Sequence, residues 1–138
     1  EINIDDEIIS VCTTDKYLIV QTVQAMKKYN LNNGEFIEDI EELQEYIDRD
    51  ITYKLKLFNS REDDEILLID SIGIYSVNAK DYNTNQMIDA NAYLFNSTEK
   101  ELAHFLQLDN ENFLAVYYSE DGMEIYIYSY SDKLAVFR

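Results

Sequence analysis

Apolar residues recur at two different intervals along this chain: three to four residues in its first third, and two in most of the remainder. Between Lys16 and Tyr29 they fall at Ile19, Val23 and Met26, with Leu18, Ala25 and Tyr29 beside them. That spacing predicts a helix capped by Thr13-Thr14-Asp15, although the β-branched residues there also suit a strand. Ahead of it, Ile2/Ile4 and Ile9/Val11 alternate like a strand but are interrupted by Asp5-Asp6-Glu7. Asn30 to Gly34 reads as a loop, in which Asn32 and Glu35 have the spacing of a helix-starting box. Phe36, Ile40, Leu43 and Ile47 then stack on one side at helical spacing, with Ile37 at the margin. Glu38, Glu41, Glu42, Glu45 and Asp48 take the opposite side, with Asp39 near the edge. The pattern predicts a second helix over 35–49.

After Asp50 the period becomes two. Tyr53, Leu55 and Leu57 alternate with Thr52, Lys54 and Lys56, the signature of a half-buried strand. Asn59 to Asp64 is a polar turn. Glu65 to Val77 is apolar on both faces and predicts one long or two short buried strands near Gly73. Asn78 to Gln86 reads as a loop and Met87 to Phe95 as a strand. Asn96-Ser97-Thr98-Glu99 opens a short third helix, with Leu102, Phe105 and Leu106 inward. Phe113–Tyr118 and Met123–Tyr130 flank Ser119-Glu120-Asp121-Gly122, which predicts a hairpin, and Leu134–Phe137 adds a last strand. The expected fold is α+β: two N-terminal helices followed by a mainly antiparallel sheet with a short inserted helix. No internal repeat, low-complexity tract or linker interrupts residues 1–138, so one domain is the economical reading.

Composition removes several classes of function. Gly occurs three times and Pro never, and Gly34, Gly73 and Gly122 are too far apart for a phosphate loop, a dinucleotide fingerprint or a nucleophile elbow. Cys12 and His104 are the only residues of their types, too few for a His/Cys zinc site, and no intrachain disulfide can form. Apolar runs such as Ile66-Leu67-Leu68-Ile69 fall well short of a membrane span. The chain carries 28 acids against 11 bases, a net charge of −17. Direct binding of DNA, RNA or an acidic membrane surface needs the opposite sign, so the expected partner is a basic protein and the expected compartment the cytoplasm.

The acids of the 35–49 segment are the first candidate site. On a helix, eight carboxylate pairs there would lie three or four residues apart, together costing about 1.6–4 kcal/mol at low salt. A segment that breaks a local rule in this way is where function can sit. A stripe of Glu38, Glu41, Glu42, Glu45 and Asp48 would imitate the charge density of a nucleic-acid strand; the bland alternative is that the acids keep the protein dissolved. The second candidate is the stripe Tyr126, Tyr128 and Tyr130, opposite Met123, Ile125 and Ile127 on one strand. If the Met/Ile face is buried, the tyrosines form an exposed or half-exposed stripe, which is either cross-strand packing with wet hydroxyls or a protein-binding surface rimmed by Glu120, Asp121 and Glu124.

Glu62-Asp63-Asp64-Glu65, with Asp70 nearby, and Asp109-Asn110-Glu111-Asn112 lack the alternation, central Gly and distant Glu of a calcium loop. No metal or cofactor is expected. Nothing specifies a catalytic triad, His104 lies one position off an apolar face, and Cys12 has the context of a small hydrophobe, so no enzyme is expected. In size and charge the chain is similar in kind to the anti-defence proteins of phages and mobile elements, anti-CRISPR and antirestriction proteins among them, although it carries no motif of such a family. That similarity implies an inhibitor that binds a nucleic-acid-handling protein by polyanion mimicry. The alternative is an immunity protein that neutralises a bacterial toxin through aromatic anchors such as Tyr126 and Tyr128.

Overall fold

A computed structural model describes residues 2–50, 54–89, 101–109, 111–131 and 134–137, with the backbone alone at 88–89, 128–131 and 134–137. Among the described residues, twelve strands make three four-stranded antiparallel sheets, each a meander in chain order. The first holds β1 (Ile8–Thr13), β2 (Tyr17–Thr22), β3 (Met26–Asn30) and β4 (Phe36–Asp39). The second holds β5 (Lys56–Asn59), β6 (Glu65–Ile69), β7 (Gly73–Asn78) and β8 (Thr84–Asp89). The third holds β9 (Glu101–Gln107), β10 (Asn112–Ser119), β11 (Gly122–Ser131) and β12 (Leu134–Phe137). A 3-10 turn over Glu41–Leu43 and the five-residue α1 (Gln44–Asp48) connect the first sheet to the second.

The α+β expectation is therefore corrected to an antiparallel, mainly β architecture. The first predicted helix is the hairpin β2–β3. Thr22 turns it: its backbone N–H donates to the Ala25 carbonyl, and its Oγ1 accepts the Gln24 and Ala25 N–H groups. Thr14 Oγ1 likewise accepts the N–H groups of Lys16 and Tyr17 in the β1–β2 turn. A hydroxyl that accepts nearby N–H groups caps a helix and closes a turn with the same hydrogen bonds, so the residue type does not choose between them. The β-branched content of 19–23 then decides for strand.

The predicted helix over 35–49 divides into β4, the 3-10 turn and α1. Strand pairing sets Asp39 opposite Lys27 and Glu38 opposite Lys28 on β3. Opposite charges across a ladder attract, whereas the helix would have stacked these carboxylates on one another. Ile40 and Leu43 do turn inward, but Phe36 is 53% exposed. The third predicted helix is corrected to β9 from Glu101 onward; its start at 96–100 lies outside the described residues.

Several strand expectations match. Residues 65–77 form two short strands, β6 and β7, and the hairpin around Gly122 is β10–β11, with a two-residue loop of Glu120 and Asp121. Gly122 has φ +119°, a conformation that favours glycine. The expected strand Met87–Phe95 begins earlier, at Thr84, and its 90–95 part lies outside the described residues.

Two apolar layers hold the sheets face to face. Cys12, Ile19 and Met26 of the first sheet meet Leu57, Ile66 and Leu68 of the second, with Ile40, Leu43 and Tyr46 inserted from the connection. Leu67, Ile69 and Ile74 on the other face of the second sheet meet Phe105, Phe113 and Ala115 of the third. The run Ile66–Ile69 is thus buried on alternating sides, which is why it lacks any polar alternation. β1 lies beside β5, β5 beside β9, and β8 beside β12. Consecutive four-stranded meanders stacked with their first strands adjacent are built like successive blades of a β-propeller. The repetition is structural and leaves no sequence period.

Candidate functional site

The acidic segment and the β10–β11 hairpin, the two candidate surfaces, fare differently. Glu38 and Asp39 belong to β4. Lys27 Nζ binds Asp39 Oδ1 at 2.9 Å, and this hydrogen bond raises the Lys27 pKa. Glu38 accepts a hydrogen bond from the Tyr82 hydroxyl. Behind it, the buried Lys28 Nζ lies 4.0 Å from the centre of the Tyr17 ring and 4.9 Å from that of Tyr82, and donates to the Ala79 carbonyl at 2.6 Å. Burial lowers the Lys28 pKa, with the charge of Glu38 opposing. Glu38 therefore has structural partners within the molecule.

Glu41, Glu42, Glu45 and Asp48 are all exposed on the connection between the sheets. Asp48 accepts a hydrogen bond from Gln44 Nε2 at 3.1 Å. Among the described residues, none of these four carboxylates forms an ion pair with Lys or Arg. Arg49, the only base between Glu35 and Asp50, turns away from them. Its guanidinium binds the buried Asp70 at 2.9 Å and the Tyr75 hydroxyl at 3.0 Å, and lies 4.4 Å from the centre of the Tyr46 ring. Glu45, four residues earlier, has the spacing of a helical ion pair with Arg49, but Asp70 takes the guanidinium. Asp70 also accepts the Ile72 and Gly73 N–H groups, closing the β6–β7 turn.

On the hairpin the expected faces are exchanged. Tyr126 points toward the second sheet, where its ring meets Tyr117 edge-on at 5.7 Å and its hydroxyl donates to Glu124. Burial raises the Tyr117 pKa. Met123, Ile125 and Ile127 face away from the core and, with Leu106 of β9, are 42–65% exposed. Ladder register places Leu114 between Leu106 and Ile127, and Val116 between His104 and Ile125. Tyr126, expected on an exposed or half-exposed stripe pointing away from the core, is half-buried and turned toward the second sheet. Tyr128 and Tyr130 stand opposite Phe137 and Ala135 on the ladder, and their side chains lie outside the described residues. Residue type misled here: both faces of β11 are apolar enough to bury, and Met/Ile alternating with Tyr does not say which one does.

Among the remaining candidates, Asp64, Glu65 and Asp109 make local contacts. Asp64 pairs with Lys80 at 3.3 Å and Glu65 accepts from Ser60 at 2.7 Å. Asp109 accepts from the Asn112 side chain and from the Glu111 and Asn112 N–H groups, which together lower its pKa. Among the described residues no three His, Cys, Asp or Glu side chains gather as a metal site. Cys12 is buried in the first apolar layer, and burial pushes its thiol up to about 12, so it holds its proton at neutral pH. His104 is exposed and lines a ≈ 420 Å³ groove between β1, β5 and β9. Ser10 lines it too, but its hydroxyl donates to Gln21 Oε1 at 2.6 Å and accepts the Leu57 N–H at 2.9 Å. Among the described residues no helix is long and apolar enough to cross a membrane.

No protein-family model matches the chain, and no curated protein does. Among solved structures it is similar to the crystal structure of the N-terminal domain of Nup159, at 13% identity and a TM-score of 0.43. It is also similar to a chain of the S. cerevisiae Dbp5 L327V assembly bound to Nup159, Gle1 H337R, IP6 and ADP, at 13% identity and a TM-score of 0.42. Each likeness covers 96% of this chain and 47% of the other, so the chain spans about half the length of the structures it matches.

Proposed function

We propose that this chain is a non-catalytic binding protein that engages a basic, nucleic-acid-handling protein and occupies its cationic surface. The observation that carries the reading is the exposed set Glu41, Glu42, Glu45 and Asp48, unmatched by any Lys or Arg ion pair among the described residues, in a chain of net charge −17. Such a field draws a cationic partner together with it and repels nucleic acid. The mimicry is one of charge: these carboxylates stand on a short connection, without the long helical stripe that spacing alone suggested. The immunity-protein alternative loses Tyr126 as an outward anchor.

The test is capture of partners from the source cell on immobilised protein, comparing the wild type with a Glu41→Gln/Glu42→Gln/Glu45→Gln/Asp48→Asn variant. The expected result is a basic protein held by the wild type alone, released as salt rises and displaced by added nucleic acid. Equal capture by the neutralised variant, or a complex that nucleic acid leaves intact, overturns the reading.

A further inference from the structure

We propose that the groove between the start of β1, the β2–β3 turn and the start of β5 takes an arginine side chain of the basic partner. This rests on the function proposed above and names the group that the partner presents. The groove holds ≈ 530 Å³, within the roughly 300–1,000 Å³ of small-ligand sites. Its walls are largely aliphatic: Ile8, Ile9 and Val23 are 51%, 41% and 46% exposed, and the half-buried Ile47 lines it from the connection. The Val23 N–H donates to the Glu7 carbonyl, which ties the turn to the start of β1 and fixes the rim. Aliphatic groups gathered around one groove, rather than scattered singly over the surface, mark an interaction site.

Charge decides the occupant. Glu7, Asp50 and Glu101 line the groove against one cation, Lys56. Lys56 is already engaged, because its Nζ donates to Glu101 Oε1 and to the Leu102 carbonyl, both at 2.9 Å. Glu7 and Asp50 form no ion pair among the described residues. The two oxygens of Asp50 accept the N–H groups of Lys54 and Leu55 at 3.0 and 3.2 Å. Neutral donors thus hold the half-buried carboxylate in place and leave its charge unmatched, so a cation delivered to it is bound favourably. The groove also continues the acidic connection. Ile47 precedes Asp48 on α1, Asp50 ends that connection, and Gln44 Nε2 donates to the Gln24 carbonyl of the β2–β3 turn at 2.9 Å. A basic protein drawn to Glu45 and Asp48 therefore meets the groove beside them. Aliphatic walls and a carboxylate rim call for an apolar stem with a cationic head. Arginine fits better than lysine, because its guanidinium is weakly hydrated and its fork can engage carboxylates from different elements.

Titration with N-acetylarginine amide, followed by NMR at the methyl groups of Ile9, Val23 and Ile47, tests the proposal. The lysine analogue and the uncharged citrulline analogue serve as controls. The expected result is a saturable shift of these methyls with the arginine probe, weaker binding of lysine and none of citrulline. Asp50→Asn and Glu7→Gln each raise the dissociation constant roughly tenfold. Glu7→Gln, at an exposed side chain, carries the test alone if Asp50→Asn disturbs the start of β5. Glu62→Gln, exposed in the β5–β6 turn, leaves binding unchanged. The Glu41→Gln/Glu42→Gln/Glu45→Gln/Asp48→Asn variant, which keeps every group of the groove, still saturates with the probe. Loss of partner capture and loss of the groove are thus read separately. Shifts that follow all exposed carboxylates without saturating overturn the proposal. So does citrulline or lysine binding as tightly as arginine, or an affinity indifferent to both Asp50→Asn and Glu7→Gln.

Discussion

β6 and β11 carry similar apolar content and opposite burial. Ile66, Leu67, Leu68 and Ile69 are all buried, alternately against the first and third sheets. In β11, Tyr126 packs inward while Ile125 and Ile127 face away from the core. A central sheet has no outside, so its strand reads as an unbroken apolar run. A terminal sheet has one covered face, and when both of its faces are apolar the sequence leaves the choice open.

The sharpest way to break this comparison is to truncate neighbours on each strand. Leu67→Ala and Leu68→Ala face different layers, and each is expected to destabilise the fold by about 2–5 kcal/mol in urea denaturation. On β11 the neighbours should differ. Tyr126→Ala is expected to cost about 1–3 kcal/mol, because its ring is half-buried against Tyr117. Ile125→Ala should change stability by less than about 0.5 kcal/mol. Equal costs at Tyr126 and Ile125 would mean that the sheet is turned the other way.

Arg49 sharpens the contrast within the acidic connection. Arg49→Ala leaves the buried Asp70 without its cation and is expected to cost about 2 kcal/mol. Glu45→Ala, one turn earlier and exposed, should fall within about 0.5 kcal/mol of wild type. A large loss at Glu45 would assign Arg49 to the partner that spacing suggested.

The titration of Cys12 affects stability only in alkali. The unfolded thiol loses its proton near its ordinary value of 9.0, while the folded one holds it to about 12. Between those values the unfolded state binds fewer protons, so stability falls as pH rises through that window. Below pH 9 the thiol contributes no slope. Cys12→Ala should remove this part of the alkaline slope while costing about 1 kcal/mol at pH 7. Tyr82 and Tyr117, also raised by burial, keep the remainder.

The β-rich second half was largely legible because its signals are local. The β10–β11 turn needs a glycine at a positive φ, and Gly122 supplies it. The unbroken run at 66–69 announces a strand covered on both sides. The first half was not legible for an equally physical reason. Thr14, Thr22, Asn30 and Asn33 accept N–H groups two or three residues on, which opens a helix or closes a hairpin alike. Helical spacing at 36–47 was real for Ile40 and Leu43, which do turn inward. It was overridden at Phe36–Asp39 because Lys27 and Lys28 lie across the ladder, at a sequence distance no local pattern records.

The candidate sites divide in the same way. That Glu41, Glu42, Glu45 and Asp48 would be exposed followed from their charge, since an unpaired carboxylate stays in water. Which side of β11 faces outward depended on the sheet packed against it. The sequence by itself determined the acidity, the lack of any phosphate, disulfide or zinc motif, and the strands β5, β6, β7, β10 and β11, but not β9, which spacing assigned to a helix. Only the tertiary structure decided that the N-terminal segments are strands, that three sheets stack, and that Ile125 faces outward where Tyr126 does not. Charge and short-range turn chemistry reside in single residues, whereas strand pairing and face selection belong to residues far apart in the chain.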